Sequence, residues 1–320
     1  MELEEAAKSY PRKGVDLRGA VLDHLDLHSL PLTRLKGGLT WYEREGVPDD
    51  RLWEAAAVKM RGADLHKTHL ERADLFWAHL EGANLAGVYF DPLTDLLSVH
   101  LGGGERGAAK VADLHWNQAN LALVPLKSIE MLGDERCARE SNLASGKKKP
   151  LELRMIETRD AIRANRQLAA VLQSQGLNDL ANHFTYRAQR LHAQMLSLEL
   201  RDRKVGFPQW LGKVAALVFS KALNGLAGYG HKPQYALAWY FVTLTSFALA
   251  YWFLGFSSLG WTGLRGGVLL SLNAFHGRAF SPGGVTVQDW WSVLPAFEAV
   301  VGLFIEISLI ATVTRRFLGG

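Results

Sequence analysis

Two carboxylic acids, Glu298 and Glu306, stand in the otherwise uncharged and largely apolar stretch 291–314 of a 320-residue chain. A carboxyl group in such a run is costly to keep, so by default it serves a purpose: it attracts cations, relays protons or neutralises a buried base. Gly302 lies one helical turn before Glu306 and shares its face, and Leu309 lies nearly one turn after it. A second apolar run ends in Asn273, Ala274, Phe275, His276, Gly277 and Arg278, which brings an imidazole and a guanidinium into the same part of the chain. Histidine changes charge near neutral pH. Arg278 is a fixed cation that either favours anions or is neutralised by Glu298, and the cost of an unpaired buried ion favours the pair. None of this is bond-breaking chemistry. The one cysteine, Cys137, allows no intramolecular disulfide and no CxxC site. No nucleophile elbow, phosphate-binding loop, HExxH or paired-carboxylate pocket occurs, so no enzymatic activity is expected. The eleven histidines include His66 with His69 and His24 with His28, but no cysteine or carboxylate cluster joins them at ligand spacing, so no metal or other cofactor is expected.

These residues need elements that hold them at membrane depth. Only five of the 68 charged residues (Arg265, Arg278, Asp289, Glu298 and Glu306) fall between 234 and 314. A soluble domain does not partition its charge in this way, so the chain divides into a charged front and a membrane-embedded back. Residues 235–256 carry no charge and have aromatic residues at both ends, as a transmembrane helix requires; 291–314 form a second candidate. Lys204, Lys213, Lys221 and Lys232 precede the first span and Arg315 and Arg316 follow the second, which places both termini in the cytoplasm. The N-terminus has neither a basic n-region nor an apolar core, in keeping with a cytoplasmic start. Between the spans, LRGGVLLSLNAFHGRAFSPGG holds an apolar run too short to cross, suited to a re-entrant segment. Irregular backbone at that depth is tolerated only if it is buried in protein or lines water.

This order of elements, covering about 207–320, resembles the two-transmembrane pore-loop channels related to potassium channels. The resemblance implies a homotetramer around one pore, permeant monovalent cations such as potassium or sodium, and no cofactor. Asn273, Ala274, Phe275, His276, Gly277 and Arg278 would form the selectivity filter. Phe275 then takes the place of the filter's first glycine, and its side chain opposes the backbone that filter needs, so weak potassium selectivity is expected. His276 would either make conduction pH-sensitive or pack behind the loop. Gly302 would be the hinge of the inner helix. Glu306 and Leu309 would line the cavity, with Glu306 either facing the ions or bonded away from them. Glu298 would support the filter.

The front of the chain repeats every five residues. Leucines recur at Leu17, Leu22, Leu27 and Leu32, and the register resumes as RGADL HKTHL ERADL FWAHL EGANL AGVYF around Leu65, Leu70, Leu75, Leu80, Leu85 and Phe90. Small or apolar residues stand two positions earlier, and a degraded run centres on Leu114 and Leu121. A period of five fits neither a helix nor a flat strand. It resembles the pentapeptide-repeat family, whose units form the sides of a square right-handed β-helix. Ten clear units imply two to three coils, with 48–59 and 92–101 as caps. Arg18, His24, His28, Arg34, His66, Lys67 and Arg72 offset the acids, so no acidic DNA-like face and no nucleic-acid partner are expected.

Beyond a linker at 145–150 the period becomes helical. Ile162, Leu168 and Leu172 mark one helix, Gly176 breaks it, and Leu177, Leu180, Phe184, Leu191, Met195 and Leu198 mark a second. Residues 207–230 read as an amphipathic helix in the headgroup plane, with Trp210, Leu211 and Val218 on one side and Lys213 and Lys221 in the fringe. The expected fold is therefore multi-domain: a cytoplasmic β-helix with helical inserts (1–143), an α-helical hairpin (150–204), an interfacial helix (207–230) and an all-α two-transmembrane pore-loop domain (235–320). The expected function is a multi-pass cell-membrane ion channel that is cation-permeable and gated from its cytoplasmic part, where a ligand or protein partner could act. The alternatives are a membrane-anchored scaffold that does not conduct, or an anion-permeable pore.

Overall fold

The computed structural model describes residues 15–30, 32–33, 57–103, 107–202, 206–228, 233–253, 264–277 and 293–317. They fall in two compact units, Met1–Lys213 and Val214–Gly320.

The first unit begins with a coil whose period follows from its corners. Backbone φ is positive at Gly62, Lys67, Arg72, Trp77, Gly82 and Gly87, every fifth residue, and at Gly19, His24 and Ser29 in the first run. At each corner an N–H bonds back three residues, as from Ala63 to Met60 and from Thr68 to Leu65, so the chain turns and resumes. Four five-residue sides make one level. Parallel bridges therefore join residues 20 apart: Lys59 to His79, Asp64 to Asn84 and His69 to Tyr89. Among the described residues these remain isolated bridges, with no longer strand. Each side buries its centre and the residue two before it; Leu65, Leu70, Leu75, Leu80, Leu85 and Phe90 are all fully buried.

The bridge order Asp16, Lys59, His79, His100 passes through four levels rather than the expected two to three. The stretch 92–101, expected to cap the coil, continues it: Asp95 pairs with Asp74 and His100 with His79, one extra residue being absorbed in the turn. There the buried Thr94 hydroxyl donates to the Leu70 carbonyl at 3.1 Å. Most of the other proposed cap, 48–59, lies outside the described residues, though Lys59 is itself a rung. Rings stack up one outer face, His69 on Tyr89 at 4.6 Å and Tyr89 on His115 at 4.4 Å, while His24 meets His66 edge-on at 5.7 Å.

What closes the coil is helical. Helix α1 (Gly133–Arg139) follows two short 3-10 turns, and α2 (Leu151–Ser174) and α3 (Asn178–Glu199) form the hairpin. Arg163 and Gln167 stand one turn apart on α2, and Gln175 is its C-cap. They meet the coil's last level: Arg163 pairs with Asp113 at 2.5 Å, Gln167 accepts the Asp113 N–H at 3.0 Å, and Gln175 accepts from Leu121 and donates to Ala119. An open edge of unpaired backbone groups is thereby satisfied by side chains. Ala164, Leu168, Leu172 and Phe184 join the coil's hydrophobic core, so 1–143 and 150–204, expected as separate domains, share one core. The capping helix α1 is seated by Gly133, where a Cβ would lie 2.6 Å from the Ala108 carbonyl oxygen.

Buried polar groups lock this junction. Asp134 accepts the Val111 N–H at 2.7 Å, and burial pushes its carboxyl up to about 6 against the pull of those N–H donors. Glu135, 1% exposed, sits 2.5 Å from Arg187 Nη2 and accepts from Asn165 at 2.9 Å. The Arg187 contact is a charge pair rather than an aligned hydrogen bond at Nη2.

Helix α4 (Phe207–Ala227) carries the chain from one unit into the next, with Phe207, Trp210, Leu211, Val218 and Phe219 exposed. Lys213 pairs with Glu199 at 2.8 Å. The second unit contains α5 (Pro233–Phe253), α6 (Leu264–Phe275) and α7 (Val293–Phe317). Two of these, over Gln234–Phe253 and Val293–Thr314, are long and apolar enough to cross a membrane; α6 is a shorter apolar helix. Glu298, Gly302, Ile305 and Thr312 form the buried stripe of α7, whereas Phe297, Val300, Phe304, Ile307 and Ile310 are more than half exposed. A helix this apolar with so little of itself covered is suited to a hydrocarbon surround.

Candidate functional site

Helix α6 is held between its neighbours by two glycines and two acids. Gly267 abuts the Ala248 carbonyl of α5, and Gly302 of α7 abuts the Phe275 carbonyl at the last residue of α6. A methyl group at either glycine would overlap the carbonyl oxygen, so both helices approach more closely than any other residue would permit. Gly302, expected as a hinge, thus has a packing role within an unbroken helix.

Glu298 is fully buried and joins all three helices: Tyr251 of α5 donates to Oε2 at 2.5 Å and Ser271 of α6 to Oε1 at 2.5 Å. Each carboxylate oxygen therefore has a hydroxyl partner, which lowers the cost of burying it. The expected partner, Arg278, lies outside the described residues. The two observed partners stand 47 and 27 residues away in sequence.

At the other end of α6, His276 Nδ1 lies 2.5 Å from Glu306 Oε1 of α7, and its Nε2 is 3.4 Å from the Tyr240 hydroxyl of α5. Glu306 and His276, read from the sequence as a cavity acid and a filter residue, are thus partners within one chain. Leu309, one turn on, is half-buried.

Half of the residues expected to form a filter are helical. Asn273, Ala274 and Phe275 form the last turn of α6, with Asn273 Nδ2 donating back to the Leu269 carbonyl at 2.9 Å. Phe275 is 1% exposed and packs edge-on against the Tyr240 ring at 4.9 Å. Gly277, with φ +63°, donates to the Ala274 carbonyl at 3.0 Å and ends the helix. A glycine in left-handed backbone just after a helix is a stop signal, and Gly277 could have been read so. Only His276 and Gly277 of the proposed filter leave the helix within the described residues.

An outward-facing apolar groove of about 320 Å³ runs between α5 and α6, lined by Phe241, Leu244, Ala248, Val268 and Leu272 among others. Its lining has no ionisable side chain, so it suits hydrocarbon rather than an ion. Among the described residues no three His, Cys, Asp or Glu side chains gather as a metal site.

A family model described as "Pentapeptide repeats" matches residues 59–91 in 8 copies. The match covers the second level and the first part of the third, where the 20-residue bridges are regular. No curated protein and no solved structure matches the chain.

Proposed function

We propose that this chain is the subunit of a membrane ion channel that passes monovalent cations. The observation that carries the reading is the short helix α6, bound between two helices capable of spanning a membrane, with its last turn held on α7 by Gly302 and by the His276–Glu306 pair. A helix too short to cross needs protein or water around its end. Several copies about an axis would provide that surround, and resemblance to pore-loop channels makes the number four. A ring of Glu306 carboxylates would favour cations over anions. The argument for weak potassium selectivity from Phe275 lapses, because Phe275 is helical.

In this reading the protein lies in the cell membrane with both termini in the cytoplasm, and the coil and hairpin form a cytoplasmic regulatory part acting through α4. The test is current from purified protein in liposomes under a potassium chloride gradient, then with sodium substituted, for wild type and Glu306→Gln. A cation-selective reversal potential with reduced selectivity in the variant supports the reading. An anion-selective reversal overturns the cation assignment, and silence from well-folded oligomer across pH and voltage favours a membrane-anchored scaffold.

A further inference from the structure

We infer that His276 is a proton-controlled counter-ion of Glu306, so that the charge this site presents to a cation is set by pH. The inference rests on the channel reading and adds a regulatory residue to it. Three helices converge on the imidazole: it sits in the turn that ends α6, its Nδ1 faces Glu306 of α7, and its Nε2 faces Tyr240 of α5. The imidazole and carboxylate side chains are 38% and 34% exposed, and the pore of the channel reading is what would bring protons and ions to them. No other described titratable group faces the pair. Arg265 lies ten residues before the end of α6, about 15 Å along its axis, and Arg278, two residues beyond His276, is outside the described residues.

The charge balance is direct. With Nδ1 against a carboxylate, the imidazole donates its N–H there in either protonation state. As imidazolium it gives the pair a net charge of zero; when Nε2 loses its proton to water, the pair keeps the hydrogen bond and carries −1. Glu306 thus attracts cations in full only when His276 is neutral. Imidazole is the side chain suited to exchanging a proton in the range a cell membrane meets. Tyr240 contributes a hydroxyl that can donate to neutral Nε2 or accept from protonated Nε2, so it orients the ring in both states.

The experiment uses the full chain in liposomes, with reversal potentials in a potassium chloride gradient at pH 8 and pH 5.5. One screened unit charge near an ion is worth about fivefold in occupancy. The wild-type cation-to-anion permeability ratio should fall about that much at pH 5.5. His276→Gln, which keeps a hydrogen-bond donor without the titration, should hold the pH 8 ratio at both values, and Glu306→Gln should be low at both. A wild-type ratio that ignores pH, or a His276→Gln protein that responds to acid like wild type, overturns the inference. His276→Asn replaces the glutamine variant if that one does not assemble. A second readout does not need current: a double-mutant cycle on melting temperature in detergent, over His276→Gln and Glu306→Gln, at both pH values. The coupling should be larger at pH 5.5 than at pH 8. If no protein conducts, the channel reading fails and this cycle decides the pair alone; coupling absent, or equal at the two pH values, overturns it.

Discussion

Replacing Arg187 by methionine tests how the hairpin is fixed to the coil. Arg187 Nη2 lies 2.5 Å from the fully buried Glu135 of α1, Nη1 donates to the Ile129 carbonyl at 3.2 Å, and the guanidinium stands 5.1 Å from the Phe184 ring. At an effective dielectric of ~20, charges centred about 4 Å apart attract by about 4 kcal/mol, set against several kcal/mol per ion for leaving water. Burial holds the guanidinium below its usual pKa against the pull of Glu135, and a buried pair in general adds little net stability. Breaking it is another matter. Without Arg187, Glu135 keeps the Asn165 amide and the exposed Arg139, 3.9 Å away, and an uncompensated buried carboxylate costs about 3–5 kcal/mol. Glu135→Leu with Arg187→Met should recover most of that loss, since apolar replacement of a buried pair is close to neutral. Hydrogen exchange of the amides of α2 and α3 in the full chain is the assay, and the single variant should exchange on the order of 100-fold faster or more. Exchange within threefold of wild type in Arg187→Met, or a double variant as fast as the single one, would refute the reasoning.

Three further outcomes follow from other sites. Asp134 titrates near 6 when folded, above the ordinary 3.8, so its penalty of up to about 3 kcal/mol is full at pH 7 and is relieved as pH falls from 6 towards 3.8. Asp134→Asn, which keeps an acceptor for the Val111 N–H, should therefore gain stability over wild type at pH 7 and lose that advantage near pH 4 in urea melts. Gly302→Ala forces a methyl onto the Phe275 carbonyl and should cost about 1–3 kcal/mol, read as a lower melting temperature in detergent; an unchanged melt would contradict the close approach. Gly82→Ala puts a side chain at φ +68° and should cost about 1–2 kcal/mol, whereas Lys67→Gly, at φ +54°, should be neutral or stabilising by thermal melting.

Much of the first unit was legible because its rules are local. A five-residue spacing of leucines forces a corner in each unit, and Ile162, Leu168, Leu172, Phe184 and Leu191 mark the inner faces of two helices by their spacing alone. Where the coil took in an extra residue at 91–94, the motif faded and 92–101 was misread as a cap. The hairpin's place was hidden for another reason: Gln167 and Gln175 look like ordinary surface glutamines until the edge they satisfy is folded beneath them. In the second unit, two long helices and a short one could be read from apolar length. The partners of Glu298 and Glu306 could not, because Tyr251, Ser271 and His276 come from other helices. Asn273, Ala274 and Phe275 were read as irregular backbone because Gly277 was aligned with a filter glycine rather than read as the end of α6.

The spacing of the coil's bridges sets an order of assembly. Levels two and three close over 20 residues, whereas Asp16 meets Lys59 across 43. Closing the longer loop costs about 0.7 kcal/mol more in chain entropy. Its leucines, Leu17, Leu22 and Leu27, are only partly buried, against complete burial of Leu65, Leu70 and Leu75. Folding of the coil therefore nucleates on residues 59–90 and spreads outward, with the segment 15–33 added last and released first. A nascent chain must accordingly hold its N-terminal run unpaired until the second level has left the ribosome.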